Sequence, residues 1–180
     1  CHCTRAMRKQ EPCHCKELHL QQTENTNYAL NYEVHDVCNN TFEDEILGKV
    51  HCEYKTHELT LIRTDRVISY NLGCVVDDIL EGVTEIVRGA DLIDITPAQL
   101  SLYSSFNKNA PRYLHLPLIM QDSERKLSKQ NHSPAVLDLA SPQKLLITGL
   151  KFLNQETEDL NEDMSVYKIL SKAVDRFCID

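Results

Sequence analysis

The chain has no tryptophan, few aromatic residues (6%) and no long apolar run, and the last of these absences is the most informative. The longest apolar stretches are about as short as Leu116–Met120, far below the roughly 20 residues of a membrane-spanning helix. No positively charged, apolar leader opens the chain, so we expect a cytoplasmic protein without a membrane anchor. Because the first residue is Cys1 and not methionine, we also expect that an upstream segment is missing, and any leader with it.

A net positive charge is absent as well, since the formal charge is −8. This excludes a protein that holds nucleic acid by its overall charge, and no stretch indicates a dedicated basic patch. What is present is an ordinary composition, with 42% hydrophobic and 26% charged residues in 180. Such a chain can bury a real core as one domain, with or without a small appendage.

The cysteines are unevenly distributed. Four of the eight lie within the first fifteen residues: Cys1, Cys3, Cys13 and Cys15. Two close thiolate pairs can supply the four tetrahedral ligands of a structural Zn²⁺, and His2 or His14 can replace a sulfur. A disulfide framework is the rival interpretation, but it needs an oxidising compartment. The spacing is also compatible with a redox role, with an adventitious metal and with no metal at all.

Three apolar runs in the middle of the chain predict buried strands. They are Val67–Val76, Val83–Val87 and Tyr113–Ile119, preceded by a shorter strand at Leu59–Arg63. The first two end abruptly in charged residues, which is typical of strands whose carboxyl ends face a crevice. Between the second and third, Thr96 followed by a proline predicts a capped helix start. Strand, helix and strand in this order predict an α/β fold.

Two side chains close to these strands stand out. Arg88 follows the second run and is placed to present its planar fork to a carboxylate. The competing interpretation of Arg88 is an ion pair with a nearby aspartate, Asp77, Asp78 or Asp91. His115 lies among apolar residues and is predicted to be a hydrogen-bonded core histidine and not a base.

A polar loop beyond the third strand carries Lys126 and Lys129 on either side of Ser128. Lysine offers a compact, mobile charge with three donors, so a loop with two lysines can close over a triphosphate. Taken alone the pattern is more often a solvated turn. Two amphipathic helices are predicted after it, beginning at Ser141 and Ser165, with the acidic run Glu156–Asp163 as a solvated connection.

Five blocks of this region are recognisable together because they occur in order and at suitable spacing. They are Tyr70–Leu72, Val75–Asp78, Gly82–Leu92, Tyr113–Leu118 and Lys126–His132. Together they resemble the second half of the glutamyl-queuosine tRNA(Asp) synthetase family, a truncated relative of glutamyl-tRNA synthetase. The resemblance is strongest from about Leu59 to Pro134.

This resemblance implies a class I synthetase catalytic domain of Rossmann type with a small zinc-binding insertion and C-terminal helices. It implies activation of glutamate by ATP with Mg²⁺, and transfer of glutamate to queuosine in the anticodon of tRNA(Asp). Tyr70 and Arg88 would hold glutamate, Lys129 would contact ATP, and Lys126 would support it. The subdomains would be 1–58 (zinc-binding), 59–140 (catalytic) and 141–180 (helical), in a monomer.

The chain also departs from the family pattern. In the pattern that the family resembles, a C-x-C-T-R sequence is followed by a tyrosine and then by H-C-R. Here Cys1, Cys3 and Cys15 match, whereas no Tyr lies between them and Cys13 is the candidate replacement ligand. Nothing in the chain matches the H-I-G-H-like motif, so we expect the 180 residues alone to be inactive.

Two further functions stay open at this point. One is that of an ordinary glutamyl-tRNA synthetase. The segment Gln130–His132 favours the queuosine enzyme, because the ordinary enzyme usually has a sequence similar to K-L-S-K-R at this place. The second is that of a non-catalytic binding module that carries zinc.

Overall fold

A computed structural model describes residues 3, 7, 10, 11, 13–15, 28–34, 41–52, 58–121, 126, 127 and 134–179. The chain divides into two compact units. The first comprises Cys1–Ile86 and Leu92–Leu114, and the second comprises Val87–Asp91 and His115–Asp180. Within the described ranges, every helix is too short or too polar to cross a membrane.

The strands form two sheets. They are β1 (Leu30–Glu33), β2 (Thr41–Asp44), β3 (Gly48–His51), β4 (Glu58–Ile62), β5 (Glu85–Gly89) and β6 (Arg112–Leu116). One sheet pairs β1 with β4 antiparallel, and the other has the order β3-β2-β6-β5. Strand β2 forms an antiparallel hairpin with β3 and runs parallel to β6, with Asp44 opposite Tyr113. The predicted strands around residues 59–63, 83–87 and 113–119 are thus confirmed.

The strand predicted at Val67–Val76 is wrong, because most of this segment belongs to helix α1 (Tyr70–Glu81). The Ser69 hydroxyl accepts a hydrogen bond from the Leu72 amide at 3.3 Å and so caps the helix. Gly82, with φ of +69°, ends it in the left-handed conformation that glycine adopts most easily. Val75 is buried, and the apolar residues recur at the three- to four-residue spacing of a helix face.

The helix predicted to begin at Thr96 is present, but its predicted cap is wrong. A 3₁₀ helix (Ala90–Ile95) runs directly into α2 (Thr96–Ser105). Because the chain is already helical before Thr96, this side chain has no terminus to cap and donates to the Leu92 carbonyl at 3.0 Å. Gln99, in the first turn of α2, donates from its side-chain amide to Asn71 Oδ1 at 3.2 Å.

The first unit has two small apolar clusters. One joins β4, α1 and α2 through Leu59, Val75, Ala98, Leu102 and Tyr103. The other contains Phe42, Cys52 and Tyr113. The buried hydroxyl of Tyr103 donates to Asp78 Oδ2 at 2.9 Å, which satisfies a polar group that would otherwise be costly to bury. Helices α1 and α2 are therefore joined by both apolar packing and a hydrogen bond.

The second unit contains helices α3 (Val136–Leu139), α4 (Pro142–Phe152) and α5 (Val166–Arg176). The hydroxyls of Ser141 and Ser165 cap α4 and α5, so both predicted starts are confirmed.

The acidic run before α5 is more ordered than a solvated connection. Thr157 and Leu160 are buried, and the Asp159 carboxylate accepts from Lys172 and Arg176 of α5. These two hydrogen bonds, that of Arg176 first, lower the pKa of Asp159 well below its ordinary value. The carboxylate therefore joins the connection to the last two turns of the helix.

This pairing predicts an acid-sensitive stability. A carboxyl group whose pKa is lower in the folded state stabilises the fold above its unfolded pKa of about 4, and this contribution is lost as the pH falls further. We expect Asp159→Asn to be less stable than the wild type at pH 7 and to lose less stability between pH 5 and pH 2. Urea denaturation followed by circular dichroism measures both. The control is Asp175→Asn, an exposed acid of α5, whose pH dependence should match the wild type.

Candidate functional site

The end of strand β5 carries the predicted glutamate-binding arginine. Arg88 lies within the strand and not directly after it, since β5 extends to Gly89. Its Nε donates to Nε2 of His115 on β6 at 3.0 Å, and His115 is fully buried. The prediction of a hydrogen-bonded core histidine is confirmed. Because Nε2 of His115 accepts this hydrogen bond, the buried ring holds the Arg88 guanidinium in one orientation.

The 3₁₀ helix that follows strand β5 carries the ion-pair partner of Lys126. Asp91 accepts a hydrogen bond from Nζ of Lys126 in an ion pair. This hydrogen bond lowers the pKa of Asp91 below its ordinary value. The sequence allows Asp91 as a partner of Arg88, but its close partner in the structure is Lys126. The segment Arg88–Asp91 therefore contacts both a buried histidine and the lysine loop.

The backbone places Lys126 at the base of its loop. Lys126 forms an antiparallel bridge with Met120, and the Leu127 amide donates to the Ile119 carbonyl at 2.8 Å. Lys126 and Leu127 are thus held against the chain segment that follows strand β6. Ser128, Lys129 and Gln130 lie outside the described residues, and the contact of Lys129 with ATP stays a prediction.

Tyr70, the other residue predicted to hold glutamate, is the first residue of α1. It lies in the first unit, whereas Arg88 lies in the second. The Tyr70 side chain is 65% exposed, so its surface is available to a ligand. Its pairing with Arg88 around one substrate stays a prediction.

Three of the four cysteines predicted to bind zinc lie close together. Cys3 Sγ lies 3.6 Å from Cys13 Sγ and 3.4 Å from Cys15 Sγ, and the three sulfurs all lie within 4.8 Å of one another. A tetrahedral zinc with Zn–S bonds of about 2.3 Å holds its sulfurs about 3.8 Å apart, so the donor set fits this metal. Cys1, the fourth predicted ligand, lies outside the described residues.

The raised pKa of Cys3 also favours a bound cation at this cluster. Contacts with Cys15 and then Cys13 raise the pKa of Cys3 to about 11. The Cys3 thiol therefore resists ionisation when no cation is close, whereas a bound cation stabilises a thiolate. The short bridge between the two pairs contains a helical turn, in which the Glu11 amide donates to the Met7 carbonyl at 3.0 Å.

Sequence reasoning misses the roles of His115 and Asp91 in the site. His115 is predicted to lie in the core, and it is there, but it also positions the candidate substrate-binding arginine. Asp91 itself is the signal in the sequence, because an acidic residue three positions after Arg88 can attract a second cation. The lysine that pairs with it is 35 positions away in the chain, and no local pattern predicts that contact.

Comparison with known proteins agrees with this geometry. The family described as tRNA synthetases class I (E and Q), catalytic domain, matches residues 2–173. The chain belongs to this family, and its mixed α/β fold is that of a class I synthetase catalytic domain.

Among relatives, the chain is similar to the glutamyl-Q tRNA(Asp) synthetase of Escherichia coli (strain K12), with 43% identity over 163 residues. That match covers 89% of this chain and 51% of the relative. The enzyme of the same name from Yersinia pseudotuberculosis serotype I (strain IP32953) is 41% identical over 140 residues, covering 77% and 42%. The chain thus spans about half the length of these relatives.

Among solved structures, a glutamate-tRNA synthetase from Elizabethkingia anophelis is 23% identical, with a TM-score of 0.45. The match covers 57% of this chain and 20% of that one. This structural similarity is too weak to support a conclusion of its own.

Proposed function

We propose that the protein to which this chain belongs activates glutamate with ATP and transfers it to queuosine in the anticodon of tRNA(Asp). The activation step is supported by one observation above all. The segment Arg88–Asp91 carries an arginine whose planar fork can pair with a carboxylate, and its Asp91 pairs with Lys126 of the lysine loop. A site that joins an amino acid to ATP needs these two cations close together. The queuosine acceptor is supported by the name of the relatives that are 43% identical.

In this proposal Arg88 pairs its fork with a carboxylate of glutamate, and His115 fixes the plane of the guanidinium through Nε. The reactive carboxylate attacks the α-phosphorus of ATP, and pyrophosphate leaves. Lys126 and Lys129 stabilise the charge that develops on the leaving group. Mg²⁺ accompanies the ATP phosphates, as is usual for nucleotides. The resemblance to the family also assigns Tyr70 to glutamate binding.

A second candidate function is that of an ordinary glutamyl-tRNA synthetase, because the family that matches the chain includes class I enzymes of both the E and Q types. The two functions share the activation step and differ in the acceptor. A monomeric, cytoplasmic protein is part of the proposal in either case.

The acceptor is tested by supplying radioactive glutamate and ATP with three tRNA preparations, using the full-length protein that contains this chain. We expect label on tRNA(Asp) that carries queuosine, and none on tRNA(Asp) that lacks it or on tRNA(Glu). RNase digestion of the labelled tRNA separates the anticodon fragment from the 3′-terminal fragment, so the fragment that carries the label shows the position of the glutamate. Label at the 3′ end of tRNA(Glu) would contradict the proposal and favour the second candidate.

We further propose that the 180 residues alone do not make glutamyl-adenylate, since nothing in them resembles the H-I-G-H-like half of a class I nucleotide site. The measurement is glutamate-dependent ATP–pyrophosphate exchange with the purified 180-residue chain. Exchange should stay at the background level of a Lys126→Met variant. Clear activity above that background would show that the chain holds a whole nucleotide site.

A structural zinc held by Cys1, Cys3, Cys13 and Cys15 is also proposed, supported by the three sulfurs that lie within 4.8 Å of one another. Zinc at such a site supplies folding energy and no chemistry. The purified chain should contain about one zinc per molecule, measured by atomic emission.

Substitution tests which cysteines hold the metal. Cys13→Ser should lower zinc affinity by about 10-fold or more, measured by competition with a chromogenic chelator, because a neutral hydroxyl replaces a thiolate. Cys178→Ser, which changes an exposed cysteine near the other end of the chain, is the matched control and should keep its zinc. Equal zinc affinity in Cys13→Ser and the control would remove Cys13 from the ligand set.

A further inference from the structure

The turn between strand β4 and helix α1 has an arginine at a position where glycine is usual. The Arg63 amide donates to the Val67 carbonyl at 2.9 Å, and the Arg66 amide donates to the Arg63 carbonyl at 3.0 Å. Three-residue turns of this kind end in a left-handed residue, which is normally glycine. Here that residue is Arg66, with φ of +66°. Among the described residues, the other non-glycine residues with positive φ are Asn107 and Asn154, and asparagine tolerates this conformation better than arginine does.

The Arg66 side chain is exposed, and its guanidinium lies over the ring of Tyr28, with Cζ 4.3 Å from the ring centroid. A cation–π contact uses the face of the guanidinium and none of its N–H donors. The neighbouring Asp65 is engaged within the turn, because its two oxygens accept from Arg63 Nη2 at 2.8 Å and from the Val67 amide at 3.2 Å. In the described part of the chain, no carboxylate forms an ion pair with Arg66. Its guanidinium is therefore held in place while its charge stays uncompensated.

Local stability does not account for an arginine at this position. A left-handed backbone is unfavourable for every residue that carries a Cβ, and the gain from an exposed cation–π contact is no larger than that cost. Glycine would form the same turn without strain. Residues that keep an unfavourable conformation without a gain in stability are expected where function requires the side chain. The Arg66 side chain is therefore a candidate for contact with a ligand.

The turn lies close to Tyr70, which the proposed function places at the glutamate. Ile62 and Ile68 form an antiparallel bridge, so the chain is paired on both sides of the turn. Arg66 precedes Tyr70 by four positions, which limits the distance between their Cα atoms to about 14 Å even for an extended chain. RNA that brings a base to Tyr70 therefore comes within reach of the Arg66 side chain. A guanidinium can pair with two phosphate oxygens at once.

We infer that Arg66 binds a backbone phosphate of the anticodon loop of tRNA(Asp), and that Tyr28 holds the guanidinium in place for this contact. The inference rests on the proposed function, in which this loop carries the acceptor base. Because the formal charge of the chain is −8, RNA is not attracted by the overall charge and depends on single, well-placed cations. An anticodon loop is single-stranded, so its backbone can adapt to such a cation.

The test is the binding of tRNA(Asp) that carries queuosine to the full-length protein, measured by fluorescence anisotropy without ATP or glutamate. We expect Arg66→Gly to raise the Kd by about 10-fold or more, the range for loss of a hydrogen bond between charged groups. The slope of log Kd against log salt concentration should fall by about 0.7, the value for one phosphate of a single strand. Arg66→Lys should keep the slope and lose part of the affinity, because an ammonium group does not pair bidentately. The matched control is Lys108→Gln, which removes another exposed positive charge and should bind as the wild type does.

Thermal unfolding separates this role from a structural one. Because glycine suits a left-handed turn, Arg66→Gly should unfold at the same temperature as the wild type or at a higher one, although it binds RNA less tightly. If this variant does not fold, as judged by circular dichroism, Arg66→Gln takes its place. An Arg66 variant that binds tRNA(Asp) as tightly as Lys108→Gln would overturn the inference. A lower unfolding temperature with unchanged Kd would show that Arg66 serves the fold alone.

A second RNA tests which part of the tRNA is bound. The isolated anticodon stem–loop of tRNA(Asp) should show the same rise in Kd with Arg66→Gly. An effect on the whole tRNA but not on the stem–loop would place the contact elsewhere in the tRNA, against the inference.

The inference and the proposed function fail in different assays. If the wild-type protein transfers glutamate to the 3′ end of tRNA(Glu), the proposed acceptor is wrong. If it modifies tRNA(Asp) and Arg66→Gly binds tRNA(Asp) normally, the proposed function stands and the inference fails.

Discussion

The contact on which the candidate site depends is the close approach of the chain to itself at the end of strand β5. Gly89 leaves room for the Asp91 carboxylate, which could not occupy its place beside any larger residue. The strand presents Arg88 just before this point, and the 3₁₀ helix begins just after it. Because Gly89 has no side chain, the Asp91 carboxylate fits beside the end of the strand that carries Arg88. Polar groups placed at the end of a strand in this way are typical of α/β binding sites.

The sheet order explains how distant residues reach this point. Strands β5 and β6 are neighbours, so His115 on β6 faces Arg88 on β5 although 27 positions separate them. Burial of His115 is tolerated because its Nε2 has a donor, since an unpaired buried ring nitrogen would cost about 1–3 kcal/mol. The arginine gains orientation from the same contact. A core residue and a binding residue therefore stabilise each other through one hydrogen bond.

Much of the fold could be predicted from the sequence, and the exceptions have physical causes. Ser141 and Ser165 cap helices because each precedes an apolar stripe at helical spacing, and this signal is local. The strand prediction at Val67–Val76 fails because a short β-branched run satisfies either period, and the decisive signal is the cap at Ser69. The cap prediction at Thr96 fails because the preceding six residues are already helical. In the site, the cysteine cluster follows from spacing, whereas the pairing of Asp91 with Lys126 depends on tertiary contact alone.

The two cations of the site are held by partners of different charge, and this difference fits their different tasks. Arg88 is held by an imidazole, because its Nε donates to Nε2 of His115 and this hydrogen bond fixes the plane of the guanidinium. After Lys126, the Arg88 charge also lowers the pKa of the nearby Asp91 carboxyl. Lys126 has an anionic partner in Asp91, which lowers the net charge around it but orients a flexible side chain. A guanidinium is planar and needs one contact to be fixed, whereas an ammonium on four methylenes needs a directional charge. In the proposed function the planar cation therefore has the amino acid as its ligand, and the flexible one has the phosphate whose charge develops during the reaction.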